Sequence, residues 1–166
     1  MRAAVVDRYG PPEVVRITEV ARPEARPDGV LVRVHSAAVT SGDARIRGAH
    51  FPAGFAPFAR VAIGWSGPRR KILGGTFSGV VEAVGAEVRN LSPGDAVCGM
   101  AGMKMGAHAE YIAVPAKRVT RVPAGLDHDT AAGLLFGGST ALYFLRDKAK
   151  LASGASLLVN GGSGAI

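Results

Sequence analysis

The sequence predicts a mainly β fold with appended helices: a small antiparallel barrel or sandwich, then two helical segments and one parallel-type strand. Three observations carry that expectation. Up to about residue 120, short apolar runs alternate with Gly/Pro turns at the spacing of a compact all-β unit. After about residue 122 the apolar period lengthens to a helical one. Near residue 157 a continuous apolar run leads into glycines, the pattern of a strand buried on both faces.

The elements follow in order. AAVVD (3–7) reads as a first strand, broken by the turn YGPPE, and VVRITEVA (14–21) as a second. After the proline-rich connection RPEARPDG, VLVRVHSAAV (30–39) alternates, with Val30, Val32 and Val34 on one face and Leu31, Arg33 and His35 on the other. TFSGVVEAVG (76–85) is a strand in which Gly79 permits close packing or a bulge. The turn and strand of LSPGDAVCGM (91–100) and the strand AEYIAVPA (109–116) complete the β part. DHDTAAGLLFGGSTALYFLRDKAKL (127–151) reads as two helices interrupted at Gly137–Gly138, with Asp127 or Asp129 capping the first and Ser139 the second. SLLVN (156–160) is the last expected strand.

Composition narrows the function. A chain of 166 residues suits one domain with the edge of another. The net charge of +7 raises the question of nucleic acid, but the basic residues are scattered and the densest cluster is Arg69–Lys71 without a recognition motif. A solvated basic surface is expected instead. No apolar run reaches the roughly 18 residues that would cross a membrane, and MRAAVVDRYG lacks a secretory layout, so a cytoplasmic protein is expected. The lone Cys98 excludes an internal disulfide framework and sits in an apolar stretch that suits a buried, inert thiol.

MRAAVVDRYGPPEVV, VHSAAVTSGDARIRG, LGGTFSGVVEAVG, LSPGDAVCGM, GAHAEYIAVPA and LLVNGGSGAI occur in an order that resembles the medium-chain dehydrogenase/reductase superfamily, in its zinc-independent quinone-oxidoreductase-like branch. The resemblance implies a GroES-like catalytic barrel over residues 1–122. It also implies connecting helices and the first strand of a Rossmann domain over 123–166, with NADPH or NADH as cofactor. Zinc-dependent members of the superfamily carry a cysteine where this chain has Thr40, and a His-Glu pair where it has Gly75 and Thr76. No metal is therefore expected, and His35, His50, His108 and His128 lack paired ligand spacing.

Without a Lewis acid, fixed hydrogen-bond donors must stabilise charge that develops on a substrate oxygen. Thr40 is the candidate donor and also suits a strand end. Asp43 either shapes the cleft or caps the short helical turn that follows. Thr140 lies where the resemblance places a threonine near the nicotinamide; the alternative is a helix residue bonding back to a preceding carbonyl. Phe51, Phe55, Phe58 and Trp65 fall where relatives carry a substrate-side loop, either as pocket walls for a flat quinone or as packing.

Asn160, Gly161, Gly162, Ser163 and Gly164 read as the pyrophosphate turn of the cofactor domain. In both possible glycine registers the third glycine would follow Ile166, so the sequence is expected to stop inside that motif and the 166-residue chain to be inactive alone. The expected partners are a small carbonyl or quinone substrate and a second copy in a homodimer, with no nucleic acid and no membrane. Rival readings are a zinc-free alcohol or aldehyde dehydrogenase, and a non-enzymatic GroES-like module for binding or self-association.

Overall fold

A computed structural model describes residues 1–52 and 54–162. The chain forms β1 (Arg2–Val6), β2 (Val15–Glu19), β3 (Gly29–Ala37), α1 (Ser41–Gly48), α2 (Ala56–Ile63), β4 (Thr76–Val84), β5 (Ala96–Met100), β6 (Tyr111–Pro115), β7 (Val119–Arg121) and α3 (His128–Leu142). Five strands make one antiparallel sheet in the order β6-β3-β4-β5-β7. β1 and β2 form a separate antiparallel ribbon, with Arg2 opposite Glu19 and Val6 opposite Val15.

The architecture is mixed and mostly sheet, as the alternation predicts, but the barrel is not closed. The ribbon meets the segments leading into β6 and β4 through isolated bridges, Ala3 opposite Ala109 and Val5 opposite Ile72. Closure requires a continuous ladder on both flanks, and here the ribbon is joined to those segments by isolated bridges and a few backbone bonds such as Ala4 N to His108 O and Val6 N to Lys71 O.

Val30, Val32, Phe77, Val81 and Val97 are fully buried at the centre of the sheet, joined by Leu91, Ile112 and Val114. The alternation along β3 holds only in part, because Leu31 is buried alongside Val30 and Val32. β3 also carries an irregularity between Val34 and Ser36, which leaves His35 without a partner on β4. At Gly79 the strands approach so closely that a Cβ would lie 2.0 Å from the Arg33 carbonyl oxygen, so glycine is required there.

α3 begins with Asp127 as N-cap, its carboxylate accepting from the Thr130 amide at 2.7 Å. Ala131 and Ala132 are buried where the helix lies over β3, β4 and β5. The break expected at Gly137–Gly138 does not occur: one helix runs through both glycines and continues as a π turn over Tyr143–Lys148. Each glycine costs a helix only about 1 kcal/mol, and Ser139 bonds back to Leu135 O and Phe136 O instead of capping a second helix.

The strand expected at 156–160 is also absent. Residues 155–159 lie exposed outside any sheet. A doubly buried strand needs parallel neighbours on its edges, and the described residues supply none.

Candidate active site

The ends of β3, β4 and β5 converge on the Gly74–Gly75 turn. Ala38 N donates to Thr76 O at 3.3 Å, Ala101 N to Gly75 O at 2.8 Å and Ala107 N to Gly74 O at 3.2 Å. Gly74 takes a φ of +94°, and a Cβ there would meet the His108 ring and amide within 3 Å. Beside it, a Cβ on Gly75 would meet nothing within 4 Å, so this turn borders open space.

α1 is fixed against this turn by a capping box. Asp43 Oδ2 accepts from the Thr40 amide at 2.9 Å and from the Thr40 hydroxyl at 2.8 Å, while Thr40 Oγ1 accepts from the Asp43 amide at 3.3 Å. The other carboxylate oxygen, Oδ1, accepts from Gly74 N at 3.0 Å. Asp43 is therefore 6% exposed with both oxygens satisfied. The helix starts at Ser41 with Thr40 as its N-cap, so Asp43 is not the cap expected from the sequence but the N3 partner of the box, and it ties the helix to the Gly74 amide. The price of that arrangement is that the single Thr40 hydroxyl proton points to Asp43. Close by, Thr76 Oγ1 is buried without a protein partner.

A cavity of about 770 Å³ opens between this corner and the β1–β2 ribbon. Asp43, Ala44 and His108 line one side, with Ala3, Val15 and Leu73 among the apolar residues of its walls. His108 is held by its Nε2 contact with Ala38 O at 3.1 Å.

The other expected site residues are not gathered here. Phe55, Phe58 and Trp65 stand on and around α2, a helix the sequence reading took for a loop, and Trp65 is 71% exposed. The Phe55 and Phe58 rings are 6.4 Å apart, Phe51 is half-buried, and none of the four aromatics lines the cavity. The i, i+4 apolar spacing of Phe55, Ala59 and Ile63 was the available signal for α2. Thr140 bonds back to Phe136 O at 2.7 Å, which occupies its hydroxyl within α3. Asn160, Gly161 and Gly162 lie in an exposed turn with Gly161 at φ +72°, and Ser163 and Gly164 lie outside the described residues.

A nucleotide cofactor needs a glycine turn followed by a helix N-terminus. Gly161 has the left-handed φ that such a turn uses, and the positions where the turn would continue, 163–166, lie outside the described residues. Among the described residues, no group of three or more His, Cys, Asp or Glu side chains is placed to hold a metal. Cys98 is buried against the sheet, and burial pushes its thiol pKa up, which suits an unreactive role. No helix among the described residues is long and apolar enough to cross a membrane.

The antiparallel sheet, the capped α1 and the Gly74–Gly75 turn together define a GroES-like domain of the kind found in dehydrogenases and reductases. The family model for the alcohol dehydrogenase GroES-like domain matches residues 26–124. Quinone oxidoreductase of Pseudomonas aeruginosa is 30% identical over 158 residues, covering 95% of this chain and 44% of that protein. The 2-methylene-furan-3-one reductase of Solanum lycopersicum is 34% identical over 174 residues, covering 100% of this chain and 42% of that protein. A mycobacterial protein solved in complex with NADPH superposes with a TM-score of 0.78 at 27% identity, over 99% of this chain and 46% of that one. The chain belongs to the medium-chain dehydrogenase/reductase superfamily, in its quinone-oxidoreductase-like branch. It spans less than half the length of these curated relatives.

Proposed function

We propose that this chain is the substrate-side part of an NADPH- or NADH-dependent, zinc-independent reductase acting on quinones, enones or similar activated carbonyl compounds. In this reading, residues 1–122 form the catalytic domain and 123–166 lead into a nucleotide-binding domain that the longer relatives share. The observation that carries it is the Thr40–Asp43–Gly74 corner. Superfamily members that use zinc bring thiolate, imidazole and carboxylate to these positions. Here the corresponding residues are Thr40, Gly75 and Thr76, which suit hydrogen bonding and leave room at Gly75.

When bound, the nicotinamide would supply the hydride; what this chain supplies is placement of the acceptor. An acceptor oxygen beside Gly75 would meet the Thr40 hydroxyl if that O–H turned away from Asp43 Oδ2. Asp43 would still accept from the Thr40 and Gly74 amides, so the corner would keep its shape through the exchange. A preorganised donor of this kind contributes roughly 10²–10³ in rate where it contacts the developing oxyanion. Phe51, Phe55, Phe58 and Trp65 would serve as apolar walls only if covered from outside, since three of them are open to solvent.

The test is quinone- and enone-dependent oxidation of NADPH by the 166-residue chain and by a longer form carrying a complete nucleotide-binding domain. Turnover is expected only in the longer form. There, Thr40→Val should lower kcat/KM by roughly tenfold or more, while Thr40→Ser retains most of it. Equal activity of both variants would remove Thr40 from the chemistry. Failure of the longer form to oxidise NADPH with any such acceptor would overturn the proposal.

A further inference from the structure

Two histidines that have no part in the candidate site meet where α3 packs on β3 and β4. His35, the residue displaced by the irregularity in β3, stacks on His128 in the first turn of α3, with ring centroids 4.7 Å apart and planes at 21°. His128 Nδ1 lies 2.7 Å from the hydroxyl of Ser78, a fully buried residue of β4. That hydroxyl also donates to Val97 O at 3.1 Å. A serine has one proton, so with Val97 O taking it the Nδ1 of His128 must donate to Ser78. One residue along each element, Ser36 Oγ donates to Asp129 Oδ1.

Five side chains thus fasten the first turn of α3 to two strands, and the rest of that contact is small apolar surface from Ala131 and Ala132. We infer that the stacked His35–His128 pair is a pH-sensitive latch, closed when at least one ring is neutral and loosened when both carry a proton. The physical cause is like charge at stacking distance: two imidazolium rings repel where two neutral rings, or one of each, attract.

The surrounding charges are named on each element. From β3, Arg33 adds positive charge beside His35. From α3, Asp127 and Asp129 are negative, but Asp127 is committed to the Thr130 cap and Asp129 to Ser36. From β4, Ser78 is neutral. The His35 imidazole is held below its usual pKa, first by desolvation against its neighbours, then by His128 and Arg33, although the residue stays exposed overall. A histidine with a lowered pKa in the folded state contributes stability that is complete above its unfolded value of about 6.5 and is lost as the pH falls through the folded value. The latch therefore opens on the acid side of neutrality, and high salt, which screens the two rings, opposes opening.

Amide hydrogen exchange across the first two turns of α3, corrected for intrinsic rates, tests this on the whole chain. Between pH 7.5 and 5.5, more protection should be lost in the native protein than in His35→Phe, which keeps an aromatic stack without a titrating group. In 1 M salt the difference between the two should shrink. A separate titration of the His35 ring by NMR covers the case in which His35→Phe disturbs the strand. With His128→Gln, which keeps a donor for Ser78, the His35 midpoint should move upward. Identical pH dependence of exchange in native protein and His35→Phe, or an unmoved His35 midpoint in His128→Gln, would overturn the latch.

Discussion

Phe77 in β4 and Leu158 near the end of the described chain both lie in apolar runs that read as strands, yet Phe77 is 0% exposed and Leu158 is 93% exposed. The difference lies in partners. Phe77 sits opposite Ala37 on one side and Gly99 on the other, inside ladders that satisfy its backbone. Leu158 has no strand beside it among the described residues. The same contrast runs along α3, where Ala131 and Ala132 are buried on the sheet while Leu134, Phe136 and Leu142 are open. An apolar pattern states which surface wants covering; only long-range pairing decides whether it is covered. The chain spans less than half the length of the curated relatives it matches.

The widest gap expected between the two regions is in stability. Phe77→Ala should cost about 3–5 kcal/mol, because a large ring is removed from a core that cannot collapse fully around the void. Leu158→Ala should stay within about 0.5 kcal/mol. Chemical denaturation of both variants measures the difference, and a Leu158→Ala cost matching that of Phe77→Ala would break the comparison. A smaller gap separates two polar residues. Asp43→Ala removes an N-terminal cap partner and leaves the buried Gly74 amide unpaired, a loss of about 1–3 kcal/mol. Thr140→Val gives up only a bond back along an exposed helix and should change thermal stability by less than about 0.5 kcal/mol. If Thr140→Val proves as costly as Asp43→Ala, Thr140 has a structural role beyond its bond to Phe136.

Most of the sheet was legible because short apolar runs are separated by Gly/Pro turns, and β1 to β6 fall within the expected runs or start no more than one residue before them. β7 was not, since three residues, Val119–Arg121, are too few to establish a period. The open flank of the barrel was invisible for a different reason: it depends on Ala3 meeting Ala109, contacts more than a hundred residues apart. The helix break at Gly137–Gly138 was overread, because propensity is a weak local cost that the turns on either side override. Within the site, a cap was expected at Asp43, but Thr40 holds the N-cap position and Asp43 is its N3 partner, so the expected cap lay three residues late. The bond from Gly74 to Asp43 and the stack of His35 on His128 join separate elements, and no local pattern encodes either.

The smallest effect tests the boundary between the two regions, at the residue where α3 leaves its cap. The amide and hydroxyl of Thr130 both donate to the Asp127 carboxylate and hold its pKa below the usual value, the amide being the larger cause. A carboxylate with a lowered folded-state pKa contributes stability that is present above its unfolded value of about 3.9 and disappears as the pH falls through the folded value. Asparagine caps a helix about as well as aspartate but does not titrate. Native protein should therefore lose helical circular dichroism from α3 below about pH 4, in a step that Asp127→Asn lacks. The core strands around Phe77 should keep their signal through this loss, because the Asp127 carboxylate is bonded to the first turn of α3. If Asp127→Asn and native protein lose helix together, the start of α3 is held by its contact with the sheet and the cap adds nothing measurable.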